Sequence, residues 1–228
     1  VVAARMDRAL GSSYLERVRR YHRHCALSDS SMALAQTDVK GDRGKRPHEQ
    51  ANPDAYVRIV ERRRDGIVVR GAKAHTTMAP VVDELIVIPT RALSEAEGDY
   101  AVAFAVPVET SGVKLICRTI GDRSLSPFDY PVSRRNVEVE SLTIFTDVFV
   151  PWERVFLAGE WEWAGPLATT FARVHRFTGV SYKPPIGDLL VGAAQLVAEW
   201  NGVADASHVR EKITRLVHYT ETIRACGK

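Results

Sequence analysis

The feature that most constrains this chain is a series of short β-branched runs between turn signals, over residues 56 to 150. Runs of valine, isoleucine and aromatic residues bounded by glycine, proline or aspartate are typical of β-strands. They predict a central β-domain, either a small barrel or a sandwich. The predicted strands are Tyr56–Val60, Ile67–Val69, Glu84–Ile88, Ala101–Val106, Val113–Cys117 and Leu142–Phe149.

Turn and loop signals divide the rest of this region. Arg64-Asp65-Gly66 separates the first two runs, and Asp-Gly readily supplies the positive φ angles that a tight hairpin turn needs. We therefore expect a hairpin there. The polar stretch from Ser31 to Pro53 carries two glycines and two prolines, so it predicts a loop held against the protein or against a ligand.

Helical periodicity flanks the β-domain on both sides. Apolar residues at helical spacing predict one amphipathic helix over residues 5–27 and another over 206–225. Residues 166–174 and 187–200 predict two more helices. The sequence therefore predicts an α+β fold in which helical segments flank a central β-domain.

This order of elements predicts three parts. Because the last helical pattern is still apolar when it reaches Lys228, we expect the sequence to be a fragment of a longer chain. The predicted parts are the end of an N-terminal helical domain at residues 1–30, the β-domain at 31–158 and the start of a C-terminal helical domain at 159–228.

Composition argues against several classes of protein. Lys and Arg number 31 against 28 Asp and Glu, and the resulting charge of +3 is too small and too interspersed for a nucleic-acid partner. Cys25, Cys117 and Cys226 form no CxxC pair, which favours reduced thiols in the cytoplasm. No apolar run approaches the roughly 20 residues that span a bilayer. We expect a cytoplasmic protein with a small-molecule ligand and no membrane segment.

Four sequence blocks carry a family resemblance. In their order along the chain they are Thr37–Arg43, Gly71–Thr77, Val148–Leu157 and Ala206–Val209. The chain resembles the family of FAD enzymes that contains 4-hydroxybutyryl-CoA dehydratase and 4-hydroxyphenylacetate 3-hydroxylase, and is closest to the dehydratase branch. The resemblance covers nearly all of the chain but only the middle of the family's usual length. It implies an acyl-CoA dehydrogenase-like fold, FAD as cofactor and a homo-oligomer, most simply a homotetramer.

Two of these blocks carry the groups that the resemblance implies for FAD. The first offers hydroxyl, carboxylate, ammonium and guanidinium groups around Gly41, which lets the backbone approach a ligand closely. The second ends in hydroxyls that can donate to a flavin ring atom. On composition alone they are a solvated loop and ordinary strand residues. The expected cofactor-binding residues are Thr37, Asp38, Lys40, Asp42, Arg43, Lys73, His75, Thr76 and Thr77.

The stretch from His175 to Lys183 bears on catalysis. The resemblance implies histidine, tyrosine, cysteine and lysine at positions 175, 179, 182 and 183, with the histidine and the cysteine bound to a 4Fe–4S cluster. Only His175 and Lys183 match, because Gly179 and Tyr182 occupy the other two positions. A phenol is a hard oxygen ligand and a poor substitute for a thiolate, so we expect an incomplete 4Fe–4S site and assign no metal ligands. We expect His175 to act as a base and Lys183 to hold a thioester carbonyl or a leaving hydroxyl.

Three functions fit these patterns. The first is a dehydratase- or Δ-isomerase-like flavoenzyme acting on a short 4-hydroxyacyl-CoA or vinylacetyl-CoA. The second is a flavin-dependent aromatic monooxygenase that acts on a phenol, resembling 4-hydroxyphenylacetate 3-hydroxylase. The third is a flavin-binding remnant or interaction protein without catalysis.

Overall fold

The computed structural model describes residues 1–118, 126–135 and 138–227 and has the predicted α+β architecture. Lys228, the end of the last predicted domain, lies outside this part of the chain. The chain divides into two compact units, Val1–Thr169 and Thr170–Lys228. The helices found within the described ranges are α1 (Val2–Leu10), α2 (Tyr14–Leu27), α3 (Ala164–Trp200) and α4 (Ser207–Cys226).

The first unit contains a β-sandwich. Its strands are β1 (Met32–Ala35), β2 (Arg58–Arg62), β3 (Gly66–Thr77), β4 (Glu84–Val87), β5 (Val102–Pro107), β6 (Val113–Cys117), β7 (Glu140–Pro151) and β8 (Val155–Ala158). They form two four-stranded sheets, β1-β4-β5-β8 and β2-β3-β7-β6, with β1 parallel to β4 and the other pairs antiparallel. Side chains of both sheets fill the core, where Phe104 and Phe145 meet edge to face at 5.6 Å. The predicted β-domain is therefore a sandwich.

Most predicted strands are confirmed, and β6 has the predicted bounds. The pattern underestimated β3, which continues to Thr77 through small and polar residues because it pairs with β7 along almost its whole length. The interpretation of residues 31–53 as a loop was wrong at its start, where the short strand β1 pairs with β4. A four-residue edge strand carries too little periodicity to be recognised.

The hairpin between β2 and β3 is confirmed, but its expected backbone geometry was wrong. Neither Asp65 nor Gly66 has a positive φ angle. Glycine is required at position 66 for a different reason, because a Cβ there would overlap the Val150 carbonyl oxygen and lie 2.8 Å from the Phe149 ring. The neighbouring strand β7 therefore selects glycine by close approach.

The single helix expected over residues 5–27 is two helices. Gly11 ends α1 in the left-handed conformation, with φ 65°. The Asp7 carboxylate then caps α2, accepting hydrogen bonds from the backbone N–H groups of Tyr14 at 2.8 Å and Leu15 at 2.9 Å, and from the Ser12 hydroxyl at 2.6 Å. The break between the two helices spans about one helical turn. The apolar residues of α2 therefore continue the spacing of those in α1, and the sequence pattern does not show the break.

The C-terminal region is helical, as predicted, and α4 matches its expected range. The two helices expected over 166–174 and 187–200 are instead one 37-residue helix, α3, which continues through Pro184 and Pro185. The φ angle of proline suits a helix, but each proline removes an N–H donor and its ring crowds the carbonyl four residues earlier. None of the described helices is long and apolar enough to cross a membrane.

Candidate functional site

The two segments predicted to bind FAD are neighbours in the first unit. Asp38 forms an isolated antiparallel bridge with Lys73 of β3. The backbone N–H of Ala74 donates to the Thr37 carbonyl at 2.7 Å. The segment after β1 therefore runs beside the C-terminal half of β3, and side chains from both face a shared region.

A buried ion pair joins these segments. The Lys73 ammonium donates to Asp38 Oδ1 at 2.5 Å and to the Gln36 and Ile88 carbonyls at 2.9 Å each, so its three protons are all bound within the protein. The Thr90 hydroxyl donates to the other Asp38 oxygen. Burial lowers the pKa of Lys73, although Asp38 partly opposes that shift. The charged groups of Lys73 and Asp38 therefore bond within the protein, where they hold the two predicted segments together.

A β-bulge changes the direction of side chains in β3. The pairing of β3 with β7 shifts register between Lys73 and Thr76, and His75 within this bulge has φ 55°. His75 is exposed, whereas Thr76 is buried and accepts a hydrogen bond from Thr143 at 2.9 Å. Left-handed backbone at a non-glycine residue is uncommon and concentrates at functional sites. The bulge leaves His75 accessible to a ligand and Thr76 inaccessible.

The loop that follows Asp38 is held by Gln50. The Gln50 side chain accepts from Asp42 N–H at 2.9 Å and donates to the Asp42 and Lys45 carbonyls at 2.8 and 3.2 Å. Gly41 has φ 56°, and a Cβ there would lie 2.5 Å from Gln50 Oε1. Asp42 and Arg43 are exposed on this braced turn. Lys40, also left-handed with φ 76°, is half-buried, as are Thr37 and Thr77.

Glu140 is a further candidate site residue, which the sequence did not reveal. Thr77 and Glu140 face each other in the β3–β7 register, and the Thr77 hydroxyl donates to Glu140 Oε1 at 2.6 Å. Glu140 Oε2 is buried without a hydrogen-bond partner among the residues that the structure describes. A buried polar atom without a hydrogen-bond partner is uncommon in a folded protein and calls for an explanation. Only the cross-strand register could have identified it, since the sequence shows a lone acid ahead of a predicted strand.

An open cavity of about 520 Å³ flanks the two segments. Its lining combines residues of β3 and β7 with Val39 and residues from the segment 52–55, and it includes the Arg70–Asp147 ion pair, at 2.6 Å. The volume is in the range of small-molecule sites. Three lining residues, Val39, Gly71 and Ala72, belong to the two predicted segments.

The candidate catalytic residues lie on α3 in the second unit. His175 and Lys183 are eight residues apart, so both lie on one side of the helix, as do Gly179 and Tyr182. The exposed His175 ring stacks on Phe171 at 5.3 Å. The Lys183 side chain lies back along the helix, and a Cβ at Gly179 would be 3.6 Å from its Cε.

Across residues 1–118, 126–135 and 138–227, no three His, Cys, Asp or Glu side chains are grouped as a metal ion would require. Cys25 is buried in α2, while Cys117 and Cys226 are exposed.

Comparisons with known proteins agree along the whole chain. The family profile described as 4-hydroxyphenylacetate 3-hydroxylase N terminal matches residues 1–157, and its C-terminal counterpart matches residues 164–228. The 4-hydroxybutyryl-CoA dehydratase/vinylacetyl-CoA-Δ-isomerase of Clostridium aminobutyricum is 39% identical over 97% of this chain and 46% of its own. The 4-hydroxyphenylacetate 3-monooxygenase oxygenase component of Thermus thermophilus is 37% identical over 93% of this chain and 44% of its own. The chain spans about half the length of these relatives.

Solved structures give the same result. An archaeal 4-hydroxybutyryl-CoA dehydratase from N. maritimus has a TM-score of 0.85 at 34% identity, over 99% of this chain and 46% of its own. The oxygenase component of 4-hydroxyphenylacetate 3-monooxygenase, complexed with FAD, has a TM-score of 0.83 at 35% identity, over 95% of this chain and 45% of its own. A putative acyl-CoA dehydrogenase from Mycobacterium smegmatis, 18% identical with a TM-score of 0.54 over 86% of this chain and 47% of its own, shares the fold. The predicted acyl-CoA dehydrogenase-like fold is confirmed.

Proposed function

Because this chain belongs to the 4-hydroxyphenylacetate 3-hydroxylase family, we propose that it forms the central part of an FAD-dependent enzyme. The observation that carries this proposal is the adjacency of the two predicted segments, joined by the Asp38–Lys73 bridge. Together they offer hydroxyl, imidazole and guanidinium groups beside a cavity of suitable size. A flavin with its diphosphate needs this combination of donors.

The accessible residues divide into two chemical sets. Arg43 is an exposed cation on a braced turn, and with Lys40 it would hold the pyrophosphate of FAD. Thr37, His75 and Thr77 would contact the flavin ring of FAD. When bound, FAD supplies the capacity to accept and return electrons or hydride.

The remaining predicted residues would act indirectly. Asp38, Lys73 and Thr76 are buried and bonded within the protein, so they would shape the site without touching the cofactor. The Asp42 carboxylate accepts a hydrogen bond from Gly44 N–H at 2.9 Å, which turns the loop.

For the reaction, we propose dehydratase- or Δ-isomerase-like chemistry on a short 4-hydroxyacyl-CoA or vinylacetyl-CoA. In the first unit, Glu140 is one candidate proton acceptor, because its Oε2 has no hydrogen-bond donor among the described residues. In the second unit, His175 is the other candidate base, and Lys183 would hold the thioester carbonyl or the leaving hydroxyl. The sequence blocks shared with the dehydratase branch support this choice.

The donor set around position 182 does not suit a 4Fe–4S cluster of the type that the resemblance implies. Tyr182 offers a phenol where a thiolate is needed, and Cys25 is buried in α2. We therefore derive no step through iron and propose that the cluster site is incomplete.

A flavin-dependent aromatic monooxygenase is the second candidate. The lost thiolate at position 182 favours it, because hydroxylation of a phenol with reduced flavin and oxygen requires no iron. The oxygenase component from Thermus thermophilus is nearly as similar to this chain as the dehydratase, at 37% against 39% identity. Failure to bind FAD would favour a non-catalytic remnant or interaction protein.

The decisive experiment uses the full-length protein supplied with FAD. Under anaerobic conditions, conversion of 4-hydroxybutyryl-CoA or vinylacetyl-CoA to crotonyl-CoA would support the first proposal. Oxygen-dependent hydroxylation of 4-hydroxyphenylacetate with reduced FAD, in the absence of acyl-CoA turnover, would overturn it in favour of the second. An iron assay on the same sample tests the proposed incomplete cluster, and sedimentation measures whether the protein is a homo-oligomer.

A further inference from the structure

Glu97 is a fully buried carboxylate in the segment that connects β4 to β5. Its Oε1 accepts from Arg46 Nε at 2.9 Å, and its Oε2 accepts from Arg46 Nη2 and from the backbone N–H and hydroxyl of Ser94, at 2.8 and 2.9 Å. The His48 ring lies 3.4 Å from Oε1. Both oxygens are therefore satisfied, and the principal partner comes from a distant part of the chain.

That partner is in the loop proposed to bind FAD. Arg46 follows Lys45, and its backbone N–H donates to the Glu49 carboxylate at 2.7 Å, which starts the short helix Pro47–Glu49. Pro47 is buried. Arg46 is thus the point at which the exposed turn returns to the protein.

The same connecting segment holds the other end of the loop. The Thr90 hydroxyl donates to Asp38, and the Ile88 carbonyl accepts from Lys73, the ion-pair partner of Asp38. The segment from Ile88 to Glu97 therefore anchors the loop at Asp38 and at Arg46. Between these anchors lie Val39–Lys45, which include the cations proposed to bind phosphate.

We infer that Glu97 is a positioning residue for the FAD loop, acting through Arg46. This inference rests on the proposed function. Without the carboxylate charge, the Arg46 guanidinium loses its bidentate partner and one anchor of the loop is released. Glu97 lies at the base of the loop and never touches the cofactor, so its effect is on the geometry of Arg43 and Lys40.

The experiment measures the FAD dissociation constant of the full-length protein carrying Glu97→Gln, Arg46→Gln or both. Each single variant is expected to raise the constant about tenfold, which corresponds to about 1.4 kcal/mol. The double variant is expected to be no weaker than the worse single variant, because both substitutions remove one interaction. Arg46→Gln leaves the buried Glu97 carboxylate without its cation, whereas the double variant leaves no unpaired charge, so the double variant keeps the test open where Arg46→Gln does not fold.

Glu84→Gln is the matched control for a loss of stability. Glu84 is also a buried carboxylate in the β-domain, and Arg154 Nη1 donates to it at 2.7 Å, but it is held against α2 and the start of β8 rather than against the loop. We expect Glu84→Gln to lower the melting temperature of the apoprotein while leaving the FAD dissociation constant within twofold of the unaltered protein.

Two results would overturn the inference. One is a Glu97→Gln protein whose FAD affinity matches that of Glu84→Gln, and the other is additive, hundredfold weakening in the double variant. In either case the unaltered protein still binds FAD, so the proposed function stands. If the unaltered protein does not bind FAD, the proposed function fails first and the inference fails with it.

Discussion

The Lys73 ammonium lies 2.5 Å from Oδ1 of Asp38, and the two side chains are 3% and 5% exposed. This pair connects β3 to the segment after β1, and these are the two segments that sequence blocks associate with FAD. A buried charge is tolerated only when it is paired and hydrogen-bonded, so each residue requires the other. The ion pair therefore links the stability of the sandwich to the shape of the proposed cofactor site.

Lys73→Met should strongly destabilise the protein. The substitution leaves the Asp38 carboxylate buried without its cation, and removing one partner of a buried pair costs about 3–5 kcal/mol. Urea denaturation of the full-length protein measures the change in the free energy of unfolding. The double variant Lys73→Met/Asp38→Asn should lose less than Lys73→Met alone, because no charge remains buried. Equal stability of Lys73→Met and the unaltered protein would contradict the structural role.

Arg43→Ala should weaken FAD binding without changing stability. A hydrogen bond to a charged group contributes about 1.5–3 kcal/mol, which corresponds to a rise in the dissociation constant of roughly 10- to 150-fold. Flavin fluorescence quenching measures the constant, and its salt dependence should decrease as well. Arg64→Ala makes the same charge change at the hairpin before β3, at the opposite end of that strand from Thr77. Similar FAD dissociation constants for Arg43→Ala and Arg64→Ala would contradict the assignment of Arg43 to the cofactor site.

The sequence predicted most strands of the β-domain because they bury β-branched residues, but it left a barrel and a sandwich open. It failed where neighbours rather than local composition decide the structure. The second half of β3 is a strand because β7 pairs with it, and Gly66 is required because Phe149 and Val150 approach it. The break between α1 and α2 was missed because it preserves the helical period.

The site was predictable only as two segments. Family blocks located both, but composition cannot tell that Lys73 and Thr76 point into the protein while His75 points outward, because a bulge reverses the alternation. Glu140 could not be proposed in this way at all, because only the β3–β7 register places it opposite Thr77. The roles of the individual residues stay predictions.

Glu97 should make the free energy of unfolding depend on pH in acid, below the usual glutamate pKa of 4.5. Burial alone would raise the pKa of Glu97, but the hydrogen bonds from Arg46 and Ser94 outweigh burial and hold the pKa below its usual value of 4.5. The unfolded chain therefore binds a proton more readily, so the stabilisation is complete above pH 4.5 and is lost as pH falls through the folded-state pKa. Urea denaturation between pH 7 and pH 3 measures the free energy of unfolding of the unaltered protein and of Glu97→Gln. The difference between the two should decrease as the pH falls. A constant difference would contradict the ion pair.

Substitutions of His75 should change the stability of the protein according to how well each residue tolerates a positive φ angle. Its φ of 55° costs a non-glycine residue about 1–2 kcal/mol, and a β-branched residue more. We expect His75→Gly to be neutral or stabilising and His75→Val to destabilise, as measured by thermal unfolding of the apoprotein. Val69, buried in regular β3 backbone, is the control position, because glycine should destabilise there. Stabilisation by valine at position 75 would show that the bulge is absent.

Glu140→Gln should reduce turnover while FAD remains bound. In the unaltered protein the Thr77 hydroxyl donates to Glu140 at 2.6 Å, and the amide oxygen of glutamine can still accept this hydrogen bond, so the fold is preserved. An amide cannot take a substrate proton. Loss of a general base typically lowers the rate by about 10²–10⁴-fold. Turnover of the acyl-CoA substrate and the FAD dissociation constant should be measured on the same preparation. Thr77→Ser, which keeps the hydroxyl opposite Glu140, should retain most of the turnover. A Glu140→Gln enzyme that turns over as fast as the unaltered protein would show that the unpartnered oxygen has no part in proton transfer, and the base would then have to be sought elsewhere, with His175 the first candidate.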